Sequence, residues 1–354
     1  NSVSDTGTGA ADGGNLFQNT GTLTVANSIL NGGTENGAAG NCGGVITDGG
    51  NNISYSSGDC GGGFVNSDPL LGALTGSPAY FPLNTGSPAI NAGESTAAVC
   101  LNAVTTNSTS QNGLARPQGA SCDIGSYEAL PASTLTLQKI VTNDNGGIAV
   151  VGDFGITTSA GVLTFGAGVP SGSDTTYTST ALTVTPGTFT LSESDVAGYT
   201  EGTWTCDNGD GGAYDSGSVD LGAGDNVTCT ITNNDNAPTL TLDKIVVNDN
   251  GGTAAESAWT LTATGNPVTN PATLSGAGAA GNTDVVSDAT FDAGTYDLSE
   301  AVGPAGYTAS TWVCVGGTQV DADTVTIALG ENVTCTITNN DNAPTLTLDK
   351  VVMN

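Results

Sequence analysis

Apolar and polar residues alternate at period two over short runs bounded by Gly, Asn and Asp, which predicts β-strands joined by tight turns. The clearest run is TLTLQKIV from Thr134. Successive side chains of a strand point to opposite faces, so Leu135, Leu137, Lys139 and Val141 share one face, and Thr134, Thr136, Gln138 and Ile140 the other. The lysine falls on the apolar face. The run recurs from Thr239, aligning Leu240, Leu242, Lys244 and Val246, and begins again from Thr345 with Leu346, Leu348, Lys350 and Val352. VTCTITNNDNAP, from Val227 and from Val333, closes both full copies. A repeat running from Thr134 to Thr239 to Thr345 is too long for one solenoid coil and suits a β-sandwich of about seven short strands.

The pattern predicts an all-β chain: a first domain over 1–130, sandwich repeats over 134–238 and 239–344, and at 345–354 either the first strand of a third repeat or a strand donated to a neighbouring subunit. The joints Asn236-Ala237-Pro238 and Asn342-Ala343-Pro344 are short and contain proline, which favours a stiff string of domains. Before residue 131 the texture turns Gly/Asn-rich, as in GTLTVANSILNGG from Gly21. Such runs suit coils of a parallel β-helix, with an ordinary hairpin as the alternative.

Composition narrows the partners. Four Lys plus Arg stand against 34 Asp plus Glu, a net charge of −30, which argues against nucleic acid and anionic membrane. No apolar stretch approaches a membrane span and no signal peptide is visible; a chain starting at Asn1 without Met reads as a processed or partial product. The 53 Gly with many Thr, Val and Ile distinguish it from a disordered acidic tail. The order of the eight cysteines suggests four local pairs: Cys42 with Cys60, Cys100 with Cys122, Cys206 with Cys229, and Cys314 with Cys335. Zinc is the competing reading, weakened by the absence of His and of C-x-x-C spacing. Disulfides imply an extracellular location.

Sorting the remaining repeat strands by face puts Phe189, Leu191 and Glu193 together, matched by Tyr296, Leu298 and Glu300. The closing strands align Val227, Cys229, Ile231 and Asn233, and Val333, Cys335, Ile337 and Asn339. Each core-facing row therefore contains one polar residue. Burying Lys and Glu is costly unless they are paired, so the three are expected to meet. The only lysines in the chain are Lys139, Lys244 and Lys350, one at the same place in each copy.

With a first-strand Lys, a Glu before the turns DVAGY at Asp195 and GPAGY at Gly303, and a last-strand Asn, the repeats resemble the prealbumin-like, Cna-B-type domains of bacterial pilins and adhesins. The resemblance implies intramolecular isopeptide bonds joining Lys139 to Asn233 and Lys244 to Asn339, assisted by Glu193 and Glu300; Lys350 would need a partner outside this segment. The added Trp204/Cys206 to Cys229 pair departs from the pattern and leaves open whether the disulfide replaces or supplements the bond. A buried Lys/Glu salt bridge, with Asn satisfying a strand end, is the competing reading. Upstream, NSDPLLGAL at Asn66, LNTGSPAINAGE at Leu83 and LARPQGASCDIGSYE at Leu114 resemble the choice-of-anchor modules that end right-handed β-helix surface proteins. That resemblance implies a surface-exposed solenoid end with no defined activity.

Asp144, Asp235, Asp249 and Asp341, in Asn/Asp/Gly loops, are candidate calcium ligands, although the same residues serve as turn formers. Catalytic candidates are poor, since the first domain has no Lys or His and its one Arg, Arg116, suits a loop anchor. The expected function is a non-catalytic structural stalk or filament at a bacterial cell surface, self-associating or continuing into more repeats. The alternatives are an adhesin whose β-helix binds carbohydrate or a host protein, and a polysaccharide-degrading enzyme.

Overall fold

The computed structural model describes residues 15–35, 37–94, 100–102, 105–106, 108–207, 217–267, 269–278, 285–351 and 353, with the side chains of 101, 102, 105 and 106 excepted. Asn1, Val352 and Asn354 lie outside the described residues. The chain is all-β: among the described residues the regular structure is strand, apart from 3-10 turns at Val151–Phe154 and Glu256–Ala258. No described helix is long and apolar enough to cross a membrane. Two compact units, Asn1–Ser133 and Thr134–Asn354, divide the chain.

In the first unit three strands of two or three residues pair in parallel with later ones, in the registers Leu16 to Cys42, Leu23 to Ile46 and Ile29 to Ile53. Two buried asparagines tie the layers together. Asn41 accepts from Asn15 Nδ2 at 2.6 Å and Gly33 N at 3.0 Å while donating to Ser54 Oγ at 3.0 Å. Asn52 accepts from Ser28 N at 2.9 Å and donates to the Val25 carbonyl at 2.7 Å. Ile53, Leu83, Ala89 and Ile124 form a small core, and the pairs Cys42–Cys60 and Cys100–Cys122 are disulfides.

In the second unit each repeat packs two sheets face to face. The opening strand Ser133–Thr142 buries every second residue, placing Leu135, Leu137, Lys139 and Val141 in the core and the intervening residues outward. Burial of one such leucine stabilises by about 1.5–3 kcal/mol, and a one-residue slip would expose the whole row, so the alternation fixes the register. The closing strand Asn226–Asp235 runs parallel to the opening strand, with Leu137 opposite Cys229 and Val141 opposite Asn233. Parallel neighbours need a crossover connection, so the rest of the repeat lies in sequence between them. On its other edge the closing strand pairs with Thr205–Asp207, which sets Cys206 beside Cys229 in a disulfide.

The second repeat reproduces this plan. Opening strand Thr239–Val247 lies parallel to closing strand Asn332–Asp341, with Leu242 opposite Cys335 and Val246 opposite Asn339. Cys314 and Cys335 are joined in the same way. In both sandwiches the place beside the closing strand is filled by the repeat's own opening strand. Thr345–Val351 forms no strand, with Leu346 and Leu348 more than four-fifths exposed.

Candidate functional site

Parallel pairing of the first and last strands brings the lysine of one next to the asparagine of the other. In the first repeat Lys139 and Asn233 share the core face two register steps apart, and Glu193, just beyond Gly187–Ser192, reaches them from the opposite sheet. Lys139 Nζ donates to Glu193 Oε2 at 2.6 Å and also to Asn233 Oδ1. The Lys139 and Glu193 side chains are completely buried. The ammonium lies over the Phe154 ring, 4.0 Å from its centroid, and Phe154 packs edge-on against Tyr199. Glu193 Oε1 has no hydrogen-bond partner among the described residues.

The second repeat assembles the same residues with a different hydrogen-bond order. Lys244 Nζ is 2.9 Å from Glu300 Oε1, while Asn339 Nδ2 donates to Glu300 Oε2 at 2.9 Å. The carboxylate bridges amine and amide. Trp259 replaces Phe154, with its ring centroid 5.0 Å from Lys244 Nζ, and packs edge-on against Tyr307. Sequence reasoning missed both aromatics, yet each follows its lysine by the same interval along the chain.

Burial holds both lysines below the usual lysine pKa, and the partner glutamate only partly restores the charged form. This arrangement can do covalent chemistry. A lysine that loses its proton to the glutamate is a free amine, and its lone pair can attack the asparagine Cγ. A new C–N bond would form, the glutamic acid would return its proton to the departing amide nitrogen, the old C–N bond would break to release ammonia, and the carboxylate so regenerated would take the remaining extra proton from the attacking nitrogen. Lysine amine and asparagine carboxamide would thus become one secondary amide, with no oxidant or cofactor required.

The same shift has a measurable signature in a chain that cannot react. In an Asn233→Ala variant Lys139 remains an amine whose folded pKa lies below its unfolded value, so between the two the unfolded chain binds more protons. Stability of that repeat should therefore rise with pH through this window, up to the ordinary lysine pKa. A chain whose Lys139 is already an amide should lack the rise. Urea midpoints measured across alkaline pH distinguish the two, and identical slopes would mean that the lysine was never acylated.

A family model described as prealbumin-like fold domain matches residues 131–231 and again 235–337, together more than half of the chain. The chain belongs to this prealbumin-like family. Several solved structures share similarity over the same share of its length. The Bacillus anthracis TIE protein is 13% identical with a TM-score of 0.32, covering 60% of this chain and 34% of its own. The major pilin T-13 of Streptococcus pyogenes is 15% identical with a TM-score of 0.28, covering 59% of this chain and 97% of its own. The pilus adhesin SpaC of Lactobacillus rhamnosus GG is 14% identical with a TM-score of 0.28, covering 60% and 32%. The chain thus spans about a third of the length of the first of these. No curated protein matches it.

Within the prealbumin-like repeats the loop aspartates act as anchors. Asp235 is buried and accepts backbone N–H groups from Asp144 and Asn145 at 3.0 Å and from Gly147 at 2.7 Å. Asp341 does the same for Asp249, Asn250 and Gly252. These carboxylates face N–H donors, which is the geometry of a held turn, while Asp144 and Asp249 are exposed. Among the described residues the one cluster of acidic and sulfur groups tight enough to share an ion is Cys42, Asp59 and Cys60, and its two sulfurs are bonded to each other. Arg116, in the first unit, pairs with buried Glu128 at 2.9 Å and donates to the Gly125 carbonyl at 3.0 Å, acting as a loop anchor. Lys350 is unpaired with either repeat's glutamate or asparagine: its segment forms no strand.

Proposed function

We propose that the chain is a non-catalytic structural protein, a stalk or filament segment outside the cell, in which each sandwich is locked by a disulfide and by a self-formed Lys-Asn isopeptide bond. The observation behind this reading is Lys139, buried, held below the usual lysine pKa by that burial, and hydrogen-bonded at once to Glu193 and to the Asn233 carboxamide. A salt bridge needs only the first two partners. The reaction runs once per sandwich and leaves the groups consumed, which makes it maturation. Four disulfides support an oxidising, extracellular setting. Intact-mass measurement of reduced protein should show one ammonia missing for each full repeat; a mass equal to the sequence mass rejects the bonds.

The first unit supports a second reading, adhesion. Its three parallel strand pairs are consistent with stacked coils at the end of a β-helix. Among the described residues an open cavity of about 840 Å³ is lined by Tyr80 and Tyr127, whose rings lie 5.4 Å apart, beside Asn27, Gln111 and Arg116. Aromatic faces flanked by amide groups suit a sugar ring. Binding on a glycan array that disappears in a Tyr80→Ala chain is the expected result, and an array with no signal would retire this reading.

A further inference from the structure

The joint between the two sandwiches shows how one repeat receives the next. Asn145, buried, donates from Nδ2 to the carbonyls of Ala289 at 3.0 Å and Phe291 at 3.4 Å, and its own carbonyl accepts the Ala293 N–H at 2.8 Å. Neighbouring Gly146 fits under the same turn so closely that an added Cβ would lie 2.7 Å from the Ala293 carbonyl oxygen. Gly198 is covered by Leu329, whose Cβ would be 2.6 Å from a Cβ placed there. Between these contacts Asn236 donates its N–H to the Gly198 carbonyl at 2.8 Å and accepts the Gly330 N–H at 2.8 Å.

The far pole of the second sandwich repeats the receiving half of this joint. Asp341 holds the loop of Asn250 as Asp235 holds that of Asn145. Asn342 donates to the Gly306 carbonyl at 2.8 Å, matching Asn236 on Gly198. Thr308 Oγ1 donates to Asn342 at 2.6 Å, matching Thr200 on Asn236. The outward groups differ in one respect: they are exposed. The Asn250 amide folds back onto Asp249 and Asp341, and no described atom lies within 4 Å of a Cβ built on Gly251 or Gly306.

We propose that this pole is a docking face for a third sandwich of the same family, entered in cis with Thr345–Val351 as its opening strand. Continuity with the first joint identifies the occupant. The required partner offers a turn whose carbonyls accept the Asn250 amide, an N–H for its carbonyl, and an aliphatic side chain to cover Gly306, as Leu329 covers Gly198. TLTLDKV follows Asn342-Ala343-Pro344 as TLTLDKI follows Asn236-Ala237-Pro238. Donation of that strand to another copy is disfavoured because both described sandwiches already pair their own opening strands. The inference deepens the stalk reading and rests on it, but uses the joint and not the covalent bonds, so intact mass tests one and amide exchange the other.

The test writes residues 239–344 once more after Pro344 of the full chain and follows backbone amide exchange at Asn250, Gly251 and Gly252. Extension should slow exchange there at least tenfold, and Asn250→Ala in the extended chain should restore the parent rate while near-UV spectra show all sandwiches folded. Unchanged exchange beside a folded third sandwich overturns the proposal. The existing joint gives a second check should the added repeat fail to fold. Leu329→Asp should speed exchange at Asn145–Gly147 about tenfold with both sandwiches intact, and no change there also overturns it. Protection of Asn250–Gly252 that grows with concentration in the unextended chain would identify a second copy as the occupant and reject entry in cis.

Discussion

Replacing Glu193 with alanine should leave the first sandwich unlinked, so that the protein loses one ammonia where the parent loses two, and should destabilise that sandwich by at least about 5 kcal/mol. Two effects add. The proposed Lys139–Asn233 bond would close a loop of 94 residues, worth about 4.7 kcal/mol in the chain-entropy account of a crosslink of that size. The unlinked variant also leaves Lys139 a buried amine with no counter-charge, and an uncompensated buried charge of this kind costs about 3–5 kcal/mol. For a domain of this size each kcal/mol shifts the melting temperature by about 4–8 °C, so a fall of about 20 °C or more is expected by calorimetry. The second sandwich, with its own Glu300, should keep both its ammonia loss and its transition. A Glu193→Ala chain that still loses two ammonias would show that the carboxylate is dispensable and that the proton passes by another route.

Removing the Cys206–Cys229 disulfide by a double change to serine should lower stability of the same sandwich by about 3 kcal/mol, the value for a closed loop of this order, here 23 residues. The ammonia loss should survive. The lysine and asparagine are brought together by the register of opening and closing strands, with Leu137 opposite Cys229 and Val141 opposite Asn233, whereas the disulfide fastens the other edge of the closing strand. Intact mass of the double variant decides whether the disulfide supplements the crosslink. Retained loss means that it supplements it; full sequence mass would show that the bond depends on the disulfide for its geometry.

The core-facing lysine was legible because strand periodicity is strict: once Leu135, Leu137 and Val141 are assigned inward, Lys139 must follow them. The repeat made the same argument twice over for Lys244. Phe154 and Trp259 escaped it because they follow irregular loops, where no period sets the direction of a side chain. Their common interval from the lysines was the available signal. The loop aspartates were ambiguous for a different reason. Asn, Asp and Gly supply oxygen ligands and tight turns equally well, and only the direction of the N–H groups around Asp235 and Asp341 distinguishes the two. In the first unit the buried Asn41 and Asn52 carried no such signal, since composition gives no hint that an asparagine will be satisfied between stacked strands.

The adjacency of opening and closing strands has a mechanical meaning. Tension along the chain would enter a sandwich at Thr134, the start of one strand, and leave at Asp235, the end of its parallel neighbour, so the two would be pulled past each other in shear against nine registered residue pairs. A covalent bond from Lys139 to Asn233 would carry that tension directly from one strand to the other. The 94-residue span between them, roughly 320 Å if drawn straight, would then never be loaded, and the sandwich would transmit force without lengthening.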